Sequence, residues 1–117
     1  MAKLSTHVLD THSGRPAAGV EIELHALEPG GPRLIASART NADGRTDRPL
    51  LEGTAVKRGR YRLVFRVGDY FRAQGIDLPD PAFVDVVPVD FGIAEDGGSY
   101  HVPLVCTPWT YSTYRGS

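Results

Sequence analysis

The segment RYRLVFRV, residues 60–67, restricts the fold more than any other stretch of this chain. Tyr61, Leu63, Phe65 and Val67 recur at every second position, with Arg60, Arg62, Val64 and Arg66 between them. Successive side chains of a strand point to opposite faces, whereas a helix brings together positions three and four apart. The segment is therefore a half-buried strand. GVEIELHAL repeats the pattern, with Val20, Ile22 and Leu24 opposed to Glu21, Glu23 and His25, and predicts a second strand of the same kind.

Other segments read as strands from their composition and the turns that bound them. LIASART and RTDRPLL flank NADG, where Asp43-Gly44 supplies a tight turn, and the two are expected to form a hairpin with Arg45 just past its tip. AFVDVVPVDF is rich in β-branched and aromatic residues, but Pro88 has no N–H for a ladder, so this strand belongs at an edge or on a bulge. YHVPLVC and WTYSTYR read as the last two strands, separated by Thr107-Pro108. GDYFRAQG alone has helical character, with Asp69 placed to cap its start and Gly75 to end it. The loops EPGGPR, LPDP and EDGGS are turn chemistry between strands. These elements predict an all-β, antiparallel sandwich of about eight strands with one short helix, a single domain over residues 1–117.

Composition narrows the function. A net charge of -1 offers no basic field for phosphates, which argues against nucleic acid. No apolar run approaches the roughly 20 residues of a membrane span. The single cysteine, Cys106, has no intrachain partner, and the N-terminal residues lack the apolar core of an export signal, so a cytoplasmic location is expected.

The polar residues do not name a reaction by spacing alone. His7, His12, His25 and His101 show no short metal-binding spacing. His25 and His12 read as solvated surface residues, while His7 and His101 lie in strand patterns where a polar ring must find partners. Arg45 beside a turn tip reads as exposed, and Cys106 as a small buried thiol. No Gly-x-Ser-x-Gly elbow is present.

Taken together, LSTHVLDTHSGRPAAGVEIEL, TNADGRTDRPLL, GRYRLVFRVGDYF, FVDVVPVDFGI and YHVPLVCTPWTYSTYRGS resemble the transthyretin-related 5-hydroxyisourate hydrolases along the whole chain. The terminal YRGS is the most discriminating piece, because the family's enzymes carry it and the hormone-carrying transthyretins do not. The resemblance implies catalytic residues at His7, Arg45, His101 and Tyr114. It also implies a substrate-binding role for His7, Arg45, Tyr114 and Ser117. A homotetramer, a dimer of sandwich dimers with sites where the dimers meet, is implied as well, and no metal or organic cofactor. Where the family often reads His-Tyr-His before Val-Pro-Leu, this chain has Ser99-Tyr100-His101.

The implied reaction is hydrolytic opening of the six-membered ring of 5-hydroxyisourate in urate breakdown, giving 2-oxo-4-hydroxy-4-carboxy-5-ureidoimidazoline. His7 or His101 is the candidate base for water, and Arg45 the group that stabilises charge on the attacked oxygen. Tyr114 would donate to a carbonyl or stack on the flat ring. Ser117 would act through its hydroxyl or a terminal carboxylate. The rivals are a transthyretin-type carrier using the same channel, and a structural or adhesion sandwich module.

Overall fold

The computed structural model describes residues 2–117. Two β-layers enclose one core. The first is a four-stranded antiparallel sheet in the order β5-β4-β7-β8, from β4 (Glu21–Glu28), β5 (Gly31–Arg39), β7 (Gly59–Arg66) and β8 (Val86–Ile93). The second layer comes in two pieces. One is β6-β1-β9, with β1 Lys3–Ser5, β6 Leu51–Glu52 and β9 Ser99–His101. The other is β11-β10-β2-β3, with β2 Val8–Asp10, β3 Arg15–Pro16, β10 Leu104–Cys106 and β11 Tyr111–Thr113.

The alternation read from β7 and β4 is the alternation of burial. Leu63, Phe65, Val20 and Leu24 are fully buried, and Ile22 and Tyr61 nearly so. They pack with Leu4, Val8 and Leu104 of the other layer into one apolar cluster. Each such Leu, Val or Phe contributes about 1.5–3 kcal/mol relative to exposure, so this cluster holds the layers together. On the outward face Arg62 forks onto Asp90 at 2.6 and 3.0 Å. Pro88 lies on β8, which is an edge strand, as its missing N–H requires.

The structure departs from several expectations. RTDRPLL does not pair with β5; only Leu51–Glu52 is strand, and it pairs with β1. The turn itself is present, with Gly44 at φ 73° and the Asn41 side-chain oxygen accepting the N–H groups of Asp43 and Arg45 at 2.9 and 3.2 Å. It turns the chain across to the other layer, where Gly44 accepts the Val8 N–H at 2.8 Å. Turn chemistry specifies a reversal of direction, and long-range pairing chose the partner.

YHVPLVC is two strands, broken at Val102-Pro103. Asp69 is not the helix cap: α1 spans Val67–Ala73, with Arg66 at the N-cap and no side-chain cap bond. Burial of Val67 carries β7 directly into the helix, and Asp69 sits in the first turn, where its charge suits the helix dipole. Gly75 ends the helix at φ 82°, as expected. His25 is half-buried, its side chain 19% exposed, with Nε2 3.1 Å from Glu23; it lies on β4, which is flanked by β5 and β7, next to the register shift at Leu24/His25.

A buried polar knot ties β2 to the helix. Asp10, 2% exposed, accepts the N–H groups of His12 and Ser13, the Ser13 hydroxyl and the Tyr70 hydroxyl at 2.8–3.0 Å. Burial alone would raise the Asp10 pKa, but these donors hold it below the ordinary value. Cys106 is buried as expected, and burial pushes its thiol up to about 12. Among the described residues no helix is long and apolar enough to cross a membrane.

Candidate active site

The site is built where two strand pairs break side by side. β1 and β2 run parallel to β9 and β10, with Ser5 opposite His101 and Val8 opposite Leu104. Both tracks are interrupted between those pairs, at Thr6-His7 and at Val102-Pro103. Pro103 has no N–H to donate, and the ladder is kept by Val102 N–H to Ser5 and Leu104 N–H to His7, both at 2.9 Å. Leu4, Thr6, Val8, Tyr100, Val102 and Leu104 face the core, so Lys3, Ser5, His7 and His101 share the opposite face by period two.

Arg45 joins them through an isolated antiparallel bridge with His7. The adjacent bond from Val8 N–H to Gly44 carbonyl makes His7 and Arg45 a non-hydrogen-bonded pair, the arrangement in which facing side chains lie closest. His7 is oriented from the same turn: its Nε2 donates to the Asp43 carbonyl at 2.8 Å. Gly44 allows the approach, since a Cβ there would lie 2.4 Å from the Val8 carbonyl oxygen.

His101 is the more enclosed histidine. Its Nδ1 lies 2.8 Å from the Ser5 hydroxyl. Burial, then the charge of Arg45, then His7 hold its pKa below the ordinary value; a hydrogen bond to the Ser5 backbone opposes them, and Lys3 adds a smaller downward push. The imidazole is therefore uncharged at neutral pH and able to take up a proton.

Lys3, Ser5, Arg45, Ser99, Tyr100, His101 and Ser117 line a cavity of about 260 Å³. A roomier hollow of about 460 Å³ beside Arg58 and Arg60 holds no group that accepts a proton near neutrality. Among the described residues no cluster of three or more His, Cys, Asp or Glu is placed to hold a metal ion.

Of the expected residues, the fold brings His7, Arg45, His101 and Ser117 together. Tyr114 is not in this cavity of the single chain. It is 58% exposed and lines an adjoining hollow with Val89, Phe91 and Arg115, just past the end of β11 at Thr113, whose hydroxyl donates to the Pro103 carbonyl at 2.7 Å. Ser5 and Lys3 were missed; their spacing of two from His7 was the available signal.

The chain matches the HIUase/Transthyretin family over residues 4–116. It is 56% identical over 115 residues to 5-hydroxyisourate hydrolase 2 of Rhizobium meliloti (strain 1021), covering 98% of this chain and 96% of that one. The crystal structure of an (S)-allantoin synthase superposes with TM-score 0.93 at 41% identity, over 99% of this chain and 44% of that one. The 5-hydroxyisourate hydrolase of Klebsiella pneumoniae superposes with TM-score 0.81 at 35% identity, over 100% of both. With a family match along nearly its whole length and relatives this similar, the chain belongs to the HIUase/transthyretin family.

Proposed function

We propose that the protein hydrolyses 5-hydroxyisourate, opening its six-membered ring to 2-oxo-4-hydroxy-4-carboxy-5-ureidoimidazoline without a cofactor. The observation that carries this reading is the shared face of His7, Arg45 and His101 beside a cavity of about 260 Å³. The relatives named 5-hydroxyisourate hydrolase support the substrate.

His101 is assigned as the base. With Nδ1–H directed at Ser5, Nε2 presents its lone pair to water, and the depressed pKa keeps that lone pair free at neutral pH. As water adds to the ring carbonyl, negative charge grows on the oxygen, and Arg45 stabilises it through its forked donors. The tetrahedral species then collapses, the ring C–N bond breaks, and the nitrogen takes a proton from the imidazolium, which restores His101. His7, held by the Asp43 carbonyl, orients the water.

Tyr114 contacts substrate in the assembled homotetramer, a dimer of dimers in which tails of different chains approach one another. Exposed Phe83, Trp109, Tyr111 and Tyr114 support an assembly that covers them. Sedimentation as a monomer at micromolar concentration would remove the tetramer from this reading.

The test follows ultraviolet absorbance of 5-hydroxyisourate made in place by urate oxidase. Decay accelerated by the protein and lost in His101→Asn supports the hydrolase. Decay at the spontaneous rate, from folded protein, would instead indicate a carrier that holds the ligand unreacted.

A further inference from the structure

We infer that Arg115 is a positioning residue, whose guanidinium, laid on the Tyr100 ring, docks the end of the chain against His101 and so completes the cavity without entering it. This deepens the hydrolase reading and rests on it for its kinetic consequence.

The geometry comes from three consecutive residues of β9. The Arg115 guanidinium carbon lies 4.3 Å from the Tyr100 ring centroid, and its Nη2 donates to the Ser99 carbonyl at 3.2 Å. One residue further, Gly116 N–H donates to the His101 carbonyl at 2.8 Å. The platform is fixed, because Tyr100 is only 6% exposed and its hydroxyl accepts the Ala94 N–H at 2.9 Å. Strand β11 ends at Thr113 and Tyr114 is mostly exposed, so Arg115 and Gly116 make the contacts that carry the tail onto β9. Ser117 then lines the cavity, whereas Arg115 lies in the adjoining hollow.

A planar cation suits this role because it stacks on the ring while its edge donates to a carbonyl. Because Arg115 itself is exposed, its stacking on the ring shifts the docking equilibrium by only roughly two- to fivefold, and the hydrogen bond adds to that. If only the docked tail forms the competent cavity, a lower docked fraction raises the apparent dissociation constant in proportion.

The experiment compares parent, Arg115→Gln and Arg115→Lys by steady-state kinetics with 5-hydroxyisourate and by the NMR titration of His101. Arg115→Gln is expected to raise KM roughly three- to tenfold with kcat retained, since bound substrate re-docks the tail. The His101 titration should move up toward the ordinary value as the ring loses its cover, while Arg45, His7, Lys3 and Ser5 still face it. Arg115→Lys, which keeps a cation for the ring but not the fork, should fall between. Parent-like KM and parent-like titration in Arg115→Gln would overturn the proposal; if that variant does not fold, the same result in Arg115→Lys would do so. A parent without hydrolase activity would refute the reaction, and the His101 titrations would still decide the clamp.

Discussion

Gly116 packs closely against the side chain of His101. Its N–H reaches the His101 carbonyl at 2.8 Å, and a Cβ on it would stand 2.5 Å from the ring's Cδ2. The glycine of the terminal tetrapeptide is thus required by close approach to a histidine, a reason that belongs to the site and not to chain flexibility.

Gly116→Ala should therefore displace either the ring or the tail. The expected result is a loss of at least about tenfold in kcat/KM, equivalent to ~1.4 kcal/mol of transition-state stabilisation, with a melting temperature within about 4 °C of the parent. Calorimetry beside steady-state kinetics separates the two effects, and a large fall in melting temperature would mean that the tail supports the fold.

Arg45→Lys should lower kcat/KM by roughly 100- to 1,000-fold, because a point charge cannot reproduce a fork aimed at a developing oxyanion. The charge near His7 and His101 is retained, so pKa effects alone predict little change. Rates and KM equal to the parent's would remove Arg45 from the proposed mechanism.

The lowered pKa of His101 has a defined sign in the rate profile. As the proposed base, His101 would act unprotonated, so kcat/KM should hold as pH falls from 7 and decline only below the ordinary histidine value of 6.5. Burial is the leading cause and Arg45 the next. In Arg45→Gln the NMR titration of His101 should accordingly move upward. A titration that stays put would mean that Arg45 does not act on His101.

Tyr70→Phe removes one donor from a buried carboxylate and should destabilise the fold by about 1–3 kcal/mol. Because the folded pKa of Asp10 is depressed, its contribution is present above the unfolded value of 3.8 and is lost as pH falls through the folded value. Urea denaturation at pH 7 and at pH 3 should therefore show a smaller difference between Tyr70→Phe and parent at the lower pH. Per-site kcat of the folded variant should be unchanged, since Tyr70 lies away from the cavity lining.

Glycine also acts at the other wall of the site. Gly44→Ala would place a Cβ at positive φ and 2.4 Å from the Val8 carbonyl oxygen, so the turn carrying Arg45 must shift. The expected outcome is loss of both activity and stability, read by kinetics and thermal melting. Parent-like values in both would show that the turn does not register Arg45 against His7.

Strands β4 and β7 were legible in the sequence because each has one apolar face, and a period of two survives whatever the strand pairs with; β8 was legible from its β-branched and aromatic residues. The edge position of Pro88 and the helix stop at Gly75 were legible for a similarly local reason, a missing N–H and a positive φ. His7, Arg45, His101, Tyr114 and Ser117 were named as site residues by the resemblance of their surrounding motifs to a family, since no spacing between them carries a chemical signal.

The tertiary structure alone decided how those residues meet. The NADG turn delivers Arg45 to His7 in the other layer because pairing across the sandwich is a long-range contact, invisible to a local pattern. The paired breaks at His7 and Pro103 open the face on which Ser5, His7 and His101 sit together, and the return of the tail places Gly116 on His101 while leaving Tyr114 outside the single-chain cavity. Local sequence dictates which face of a strand is buried; only the register between strands far apart in the chain determines which polar residues share the other face.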